Sequence, residues 1–304
     1  QLIPSPWQER FNPSPLFLVL WYRQESDITP DQEPILHYLT QGCHEGVTPS
    51  PLFFPEYYLE QQPEGTKKED ASLDDYLKRG WLEGKRPNPG FDALWYQKRY
   101  HDVQEYKGHP LAHYAEIGFP EQRNPMRFFF LKFYSASNPY VAQNLQPPFE
   151  YPFFHFWRHG NEDNHAPSPL FDPAFYQKTY GLEGLGHVEL FLHYAQQGWQ
   201  QNYRPSALFD AEFYRNTYLE AFTQPSTKTK PAAATSTGAF ADSYVETLYP
   251  LEHYQEYGIP AGHYPCQEVA DLLHKPIISI LTPVYNTEEG LLRSCIHSVL
   301  FQAY

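Results

Sequence analysis

Histidine recurs in this chain in one local setting, directly before an aromatic residue. Imidazole can bind a metal ion or hydrogen-bond a sugar, so such a series could carry chemistry. A metal shell needs several ligands in one place, whereas these histidines are spread along the chain, about one repeat apart. The spacing favours histidines that hydrogen-bond a neighbouring unit of the fold, with His113 and His193 kept as candidate glycan or partner contacts. The five positions are His37, His113, His155, His193 and His253.

Three aromatic residues, Trp81, Phe119 and Trp199, each follow a glycine at the end of the histidine phrase. Aromatic rings at an exposed corner could stack on sugar rings, so these are candidate glycan or partner contacts. Regularly spaced aromatic residues are more often part of a hydrophobic core. The sequence leaves both interpretations open and favours packing.

The most concentrated group of metal-ligand side chains is His159-Gly-Asn-Glu-Asp-Asn-His165. It could bind a cation, but it lies where the other copies have a turn between units, which favours a polar loop. The chain has no P-loop, no complete GxGxxG, no HExxH and no GxSxG motif. We therefore assign neither a catalytic residue nor a metal ligand from these patterns.

These residues belong to an internal repeat. The aromatic residue after each histidine, or after its substitute, recurs at steps of 38, 38, 42, 38 and 60 residues. A fixed period of this size is typical of an array of supersecondary units. The sequence thus predicts six copies within residues 1–260, with a period of about 38 residues. The marker positions are Tyr38, Tyr76, Tyr114, Phe156, Tyr194 and Tyr254.

Each copy is predicted to contain two short helices. Asp92, Asp172 and Asp210 are suited to cap the N-terminus of the first helix. A glycine four residues after the marker aromatic fits a left-handed C-cap that would end the second helix. Short helices are marginal alone, so stacking of successive units would bury their aromatic faces and give a mainly α array of helical hairpins. These glycines are Gly42, Gly80, Gly118, Gly160, Gly198 and Gly258.

The copies differ in informative ways. Asp75 stands in the second copy where the others have histidine. Residues 223–239 lack apolar periodicity, which indicates a flexible insertion in the sixth copy and accounts for the step of 60 residues.

An arginine precedes the proline at two junctions and lies six residues before the capping aspartate. The spacing predicts contacts from Arg86 to Asp92 and from Arg204 to Asp210 that fix the turn. Arg123 has the same position, but Phe129 replaces the aspartate, so we expect that junction to differ.

Composition limits the partners. The chain has 36 acidic and 22 basic residues and a net charge of -14, which argues against nucleic acid as a general partner. No apolar run is long enough to span a membrane. The three cysteines show no CxxC pairing, which favours a reducing compartment and predicts a cytoplasmic location.

A different pattern begins after the repeats. Residues 261–275 are a predicted linker, and 277–281 form a β-branched apolar run typical of a buried parallel strand. Residues 288–301 carry apolar positions at helical spacing. Strand, short loop and helix are the opening of an α/β domain, so 276–304 are predicted to be its first part.

The residues Ile278-Ser-Ile-Leu-Thr-Pro-Val-Tyr-Asn286 and the following helix, which ends in Ser298-Val-Leu-Phe-Gln-Ala-Tyr304, resemble the start of the family-2 glycosyltransferases. The resemblance implies a GT-A fold in which Pro283, Val284, Tyr285 and Asn286 line the nucleobase side of a nucleotide-sugar pocket. It also implies that the metal-binding aspartates and the catalytic base lie beyond the matched residues. The 304-residue chain is therefore expected to be inactive and to hold no cofactor itself. Its parent would use a nucleotide sugar with a divalent metal, Mg²⁺ or Mn²⁺.

The repeat phrases, Phe-Asp-x-x-Phe-Tyr followed by His-Tyr-x-x-x-Gly-Trp, resemble repeats found ahead of bacterial glycosyltransferase domains. Together the two resemblances imply a fragment of a transferase that adds sugars to a bacterial surface or extracellular glycan, at the inner face of the membrane. The repeats would bind the acceptor glycan or dock a protein partner. The alternative is a non-catalytic scaffold of repeats engaged in protein–protein interaction.

Overall fold

The computed structural model describes residues 14–138, 141, 151–162, 165–219 and 249–272. The chain divides into two compact units, Gln1–Pro167 and Ser168–Tyr304. The predicted mainly helical fold is confirmed, and the described residues form no β-sheet. The predicted insertion at 223–239, the end of the predicted linker and the β–α opening at 276–304 lie outside the described residues.

We number six segments by sequence, each ending in a proline: 14–49, 50–87, 88–125, 126–167, 168–205 and 206–265. In the first unit the α-helices are Val19–Glu25, Pro34–His37, Cys43–Glu45, Pro55–Glu60, Leu73–Asp75, Ala93–Arg99, Asp102–Glu105, Pro110–His113, Leu131–Ser137 and Pro152–His159, with a 3₁₀ turn at Lys68–Asp70. In the second unit they are Pro173–Tyr180, His187–His193, Ala211–Tyr214, Pro250–His253, Ile259–Ala261 and Gln267–Leu272.

The first helix of a segment starts where the sequence predicts it in three cases. The carboxylates of Asp92, Asp172 and Asp210 accept hydrogen bonds of 2.9, 3.0 and 2.9 Å from the backbone N–H three residues later. In segments 1, 2 and 4 an apolar residue takes this position, and no side chain caps the helix. Capping chemistry is local, which is why the aspartates could be recognised from sequence alone.

One backbone hydrogen bond closes every segment on itself. The N–H of the residue before the first helix donates to the carbonyl of the proline that ends the same segment. Proline lacks an N–H but keeps its carbonyl acceptor, so it can end the segment and still serve this bond. The pairs are Leu18–Pro49 (3.1 Å), Phe54–Pro87 (2.9 Å), Asp92–Pro125 (3.2 Å), Phe130–Pro167 (3.0 Å), Asp172–Pro205 (2.9 Å) and Asp210–Pro265 (3.0 Å).

Segments of the first unit also meet beyond their immediate neighbours. Phe154, in the second helix of segment 4, lies 5.2 Å from the Trp21 ring of segment 1 and 5.8 Å from the Phe54 ring of segment 2. The adjacent Phe153 covers Gly90 of segment 3, where a Cβ atom would lie 1.8 Å from its ring. The predicted stacking of successive units is therefore part of the packing, and one helix of segment 4 also brings segments 1, 2 and 3 together with its own in a common core.

Candidate functional site

The recurrent histidines are hydrogen-bonded to tyrosines of the first helix. In each case the partner lies in the same segment, so the expected bond to a neighbouring unit is wrong. We call each tyrosine–acceptor pair a clasp, because it joins the first helix of a segment to the helix that carries the acceptor. The pairs are Tyr22–His37 (2.7 Å), Tyr96–His113 (3.1 Å), Tyr134–His155 (2.8 Å), Tyr176–His193 (2.8 Å) and Tyr214–His253 (2.9 Å), each measured from the hydroxyl oxygen to Nδ1.

The aspartate of segment 2 forms the same contact. The Tyr58 hydroxyl donates to the Asp75 carboxylate across 2.7 Å, and Arg79 pairs with the same carboxylate one helical turn on. A carboxylate and a neutral imidazole nitrogen both accept a hydrogen bond, which explains why either residue occurs here. The shared requirement is an acceptor for a tyrosine hydroxyl, rather than imidazole chemistry.

In five segments the glycine four residues after the marker aromatic, here called the clasp glycine, makes room for the tyrosine of the clasp. A Cβ atom on Gly42, Gly80, Gly118, Gly198 or Gly258 would lie only 2.0 to 2.3 Å from the hydroxyl oxygen of the clasp tyrosine. Gly42 and Gly160 have right-handed φ angles of -60° and -59°, and none of the six glycines has a positive φ. The predicted left-handed C-cap at the six glycines is therefore wrong, and close approach of the tyrosine is the reason for glycine at five of them.

The chain turns left-handed four residues later. Gly46, Gly84 and Gly262 have φ angles of 77°, 78° and 72°, and Gln122 and Asn202 take the same conformation. The next residue donates its N–H back to the carbonyl of the clasp glycine, for example from Val47 to Gly42 at 2.8 Å. This is the hydrogen bond of a Schellman motif, so the helical path ends one turn beyond the predicted stop.

Between histidine and glycine the backbone widens into a π-helical turn. The N–H groups of Trp81, Phe119 and Trp199 bond the carbonyl five residues back, at 3.3, 2.7 and 3.1 Å. The wide turn lies beside the tyrosine hydroxyl and contains the glycine that admits it. Such turns are rare and often mark functional sites, but here they recur with the clasps. They extend over Tyr38–Gly42, Tyr76–Gly80, Tyr114–Gly118, Tyr194–Gly198 and Tyr254–Gly258, with a further one at Arg215–Leu219.

Burial favours the uncharged forms of both partners in the clasps of segments 3 and 6. Burial raises the pKa of Tyr22 to about 12, so its hydroxyl keeps its proton. Burial also raises the pKa of Tyr96 and Tyr176 and lowers that of His113 and His253. A tyrosine that holds its proton is a poor nucleophile at pH 7, and a histidine whose pKa is lowered by burial is a weaker base than free imidazole.

Segment 3 has the most extended polar network. Beyond the clasp, Nε2 of His113 lies 3.4 Å from the Asp102 carboxylate, which pairs with Arg123 through two contacts of 2.8 Å. The hydrogen bond from Arg123 lowers the pKa of Asp102. The order tyrosine, histidine, aspartate resembles a catalytic relay, but Tyr96 is fully buried and His113 is only 1% exposed. A substrate has no access to either side chain.

The three candidate stacking residues pack on the following segment. Trp81 meets His109 edge-on at 5.1 Å, Phe119 lies 4.7 Å from Tyr151, and Trp199 meets Tyr249 edge-on at 5.2 Å. In each pair the second residue directly precedes the helix that carries the clasp histidine of the next segment. These rings therefore join successive segments, whatever further contacts they make.

The junction arginines behave unequally. Arg86 forms the predicted ion pair with Asp92 at 2.8 Å. Arg204 lies 3.7 Å from Asp210 and directs its shorter bond, 2.8 Å, to the carbonyl of Ala207. Both predicted contacts are present, but the second is the weaker one. Arg123 differs as expected, because it turns to Asp102.

The polar loop at 159–165 has one ion pair among its described residues, His159 with Glu162 at 3.7 Å. Across the part of the chain that the structure describes, no group of three histidine, cysteine, aspartate or glutamate residues is placed to hold a metal. The nucleobase residues implied by resemblance, Pro283, Val284, Tyr285 and Asn286, lie outside that part.

A comparison with protein-family models, curated proteins and solved structures found no match to this chain. Within the described ranges, the helices are all too short or too polar to cross a lipid bilayer.

Sequence reasoning missed the tyrosines of the clasps, although a signal was present. An aromatic pair stands three and four residues after the first-helix aspartate, or after the apolar residue that replaces it, and its second member is tyrosine in all six segments. The marker aromatic, by contrast, becomes Phe156 in segment 4. A ring alone would allow phenylalanine at both positions, so the invariance across segments pointed to a hydroxyl with a partner.

Replacing Trp199 with alanine should lower the free energy of unfolding by about 2 kcal/mol, because removal of this half-buried ring leaves a gap between segments 5 and 6. Urea denaturation measures this, with the exposed neighbour Gln200→Ala as control. If Trp199 mainly contacts a glycan, the variant will lose glycan binding while its stability matches that of the control.

Proposed function

We propose that this chain is part of a family-2 glycosyltransferase that transfers a sugar from a nucleotide donor to a bacterial surface or extracellular glycan. The single observation behind this proposal is the resemblance of residues 278–304 to the start of that family, including Pro283-Val-Tyr-Asn286. The enzyme would work in the cytoplasm at the inner face of the membrane. The residues that the resemblance assigns to the divalent metal lie outside the match, so we derive no step through it.

Residues 14–272 would then be a non-catalytic module. Their recurrent polar side chains are used within the fold: each clasp histidine or aspartate bonds a buried tyrosine, and the capping aspartates bond backbone N–H groups. A repeat array whose recurrent polar side chains form hydrogen bonds within the fold is suited to hold an acceptor glycan or to dock a partner.

The alternative is a scaffold that binds proteins without catalysis. It is favoured by two leucines one helical turn apart, Leu36 and Leu39, which are 61% and 63% exposed. Apolar side chains on a surface helix suit a protein partner better than a hydroxyl-rich glycan. The two functions differ in what residues 276–304 should bind.

Nucleotide binding tests the proposal. Titration of the 304-residue chain with UDP and GDP should show weak binding, in the millimolar range expected of an incomplete pocket, and Tyr285→Ala should abolish it. Tyr257→Ala, which removes an exposed tyrosine, is the matched control and should leave binding unchanged. No sugar should be transferred by this chain.

Three outcomes separate the functions. Binding that depends on Tyr285 supports the transferase, and absence of binding to either nucleotide supports the scaffold. Turnover of a nucleotide sugar by the chain alone would refute the assignment of residues 14–272 as a non-catalytic module and of 276–304 as an incomplete domain.

A further inference from the structure

In segment 6, two histidines share the clasp tyrosine. The Tyr214 hydroxyl oxygen lies 2.9 Å from Nδ1 of His253 and 2.9 Å from Nδ1 of His263. The two imidazole rings are nearly parallel, 6.3 Å apart. At the position of His263, segment 3 has Arg123, segment 4 has His165 and segment 5 has Tyr203.

This arrangement restricts where protons can lie. A hydroxyl carries one proton, so Tyr214 can donate to only one of the two Nδ1 atoms. The other Nδ1 must carry a proton and donate to the hydroxyl oxygen. A single positive charge is compatible with these bonds, because an imidazolium Nδ1–H can serve as that donor. A second charge leaves the tyrosine O–H without an acceptor and places two imidazolium rings side by side.

His263 attaches the end of segment 6 to its first helix. Its ring stacks on Tyr218 at 4.0 Å with an interplanar angle of 4°, and the N–H of Tyr264 donates to the Tyr218 hydroxyl at 3.0 Å. The N–H of Asp210 bonds the carbonyl of Pro265 directly afterwards. The side chain of Cys266 follows, fully buried, and leads into the helix Gln267–Leu272. The attachment of this stretch therefore depends on His263 remaining in place.

The surroundings offer little compensation for charge. His253 faces Tyr214, Tyr257 and His263, and its pKa is lowered first by burial and then by the neighbouring His263. Burial lowers the pKa of His263 as well.

Two carboxylates of the elements packed here have partners other than the two histidines. Glu252 accepts from the backbone N–H of Tyr249, and Glu268 lies 3.7 Å from Arg204. Glu256 is on the helix that carries His253, and burial raises the pKa of Tyr254 and of the Cys266 thiol. No carboxylate contributes to the pKa of either histidine.

We propose that His253, Tyr214 and His263 form an acid-sensitive clasp that holds residues 259–272 at neutral pH and releases them when both histidines are protonated. The response is local to the end of segment 6.

The buried thiol of Cys266 reports release directly. With Cys43→Ser and Cys295→Ser as background, the full chain is labelled with 4,4′-dithiodipyridine, which reacts with thiols in mild acid. If residues 259–272 open and close rapidly, the fraction of released chains increases as the second histidine takes up its proton. Below the pH at which the first histidine is protonated, the labelling rate should therefore rise by up to about tenfold per pH unit. Far-UV circular dichroism, recorded in parallel, should keep its pH 7 helical signal.

His263→Tyr is the matched variant, because Tyr203 already stacks on Tyr180 in segment 5 at 3.9 Å and 3°. It keeps the stack, removes the second imidazole and should reduce the labelling rate at pH 5 by about tenfold. His253→Asp, which copies Asp75 of segment 2, removes the other imidazole and provides the second test should the first variant fold poorly.

Acid-induced labelling that both variants reduce, with helical signal retained, supports the proposal. Two results overturn it: a labelling rate that stays flat between pH 7 and 5, or one that rises equally in both variants. Loss of helical signal in step with labelling also overturns it, because release would then be part of global unfolding.

Discussion

Replacing Gly198 with alanine should lower the free energy of unfolding by about 3 kcal/mol, an unusually large effect for a single methyl group. The added Cβ atom would lie 2.1 Å from the Tyr176 hydroxyl oxygen, well inside contact distance. Tyr176 is fully buried, so it has no room to move aside. Relief requires displacement of the ring from the core, which breaks its 2.8 Å bond to His193 and leaves a polar group unpaired. Urea denaturation followed by circular dichroism measures the loss.

The clash can be separated from the intrinsic effect of alanine by a double-mutant cycle. Tyr176→Phe removes the oxygen that meets the new methyl group, and the next ring atom, Cζ, lies at 3.3 Å, a close contact that a small shift of the ring relieves. Gly198→Ala should therefore cost at least 1 kcal/mol less in the Tyr176→Phe background than in the parent chain. Additive losses from the two substitutions would show that the glycine is required for another reason.

The contrast between predicted and observed glycine roles shows what a local pattern can reveal. Asp172 and Asp210 were recognisable as helix starts, because capping involves atoms three residues apart. A glycine near the end of a helix was read by the same local logic, as a left-handed cap. Its actual constraint comes from Tyr176, 22 residues earlier in the chain, and such a distant contact leaves no trace in the local pattern.

The true left-handed position was hidden by its composition. Gly46, Gly84 and Gly262 occupy it in three segments, but Gln122 and Asn202 occupy it in two others. Asparagine tolerates this conformation and glutamine does so at some cost, so the position does not recur as glycine. The strictly recurring glycine was a stronger pattern, and it marked the clasp instead of the cap.

The clasps explain why the helical fold could be predicted from the sequence more reliably than a functional site. Tyrosine, histidine and glycine recur together because three side-chain requirements meet at one point: a donor, an acceptor and an absent Cβ. Residues with catalytic potential were thus visible from sequence, but their burial and partners were not. His113 illustrates this, since its bonds to Tyr96 and Asp102 leave it 1% exposed.

Contacts beyond the repeat could not be foreseen either. Phe153 and Phe154 stand in the fourth copy, which lacks the capping aspartate and has Phe156 as its marker aromatic. The structure uses them to cover Gly90 and to reach Trp21, so the irregular residues are those that join distant segments. A departure from the repeat pattern indicates a contact that the repeat itself does not make.

Stability of the chain should fall in mild acid through His109. Its Nδ1 accepts the N–H of Leu111 at 3.0 Å and so caps the helix Pro110–His113. This bond places the ring proton on Nε2. Burial lowers the pKa of His109 from 6.5 to about 3. The unfolded chain therefore binds this proton first. The contribution to stability is fully present above pH 6.5 and is lost as the pH falls from 6.5 towards 3.

The expected slope is about 1.4 kcal/mol per pH unit, so about 3 kcal/mol disappears between pH 6.5 and 4.5. This window lies above the range in which Asp102, whose pKa is lowered by Arg123, takes up its proton. The matched variant is His109→Ser, because Ser72 caps the corresponding helix of segment 2 by accepting the Asp75 N–H at 3.3 Å. Urea midpoints at pH 7, 6, 5.5 and 4.5 should show the variant losing less stability than the parent by about 2 kcal/mol or more. Equal losses in both chains would mean that the titration of His109 is not coupled to folding.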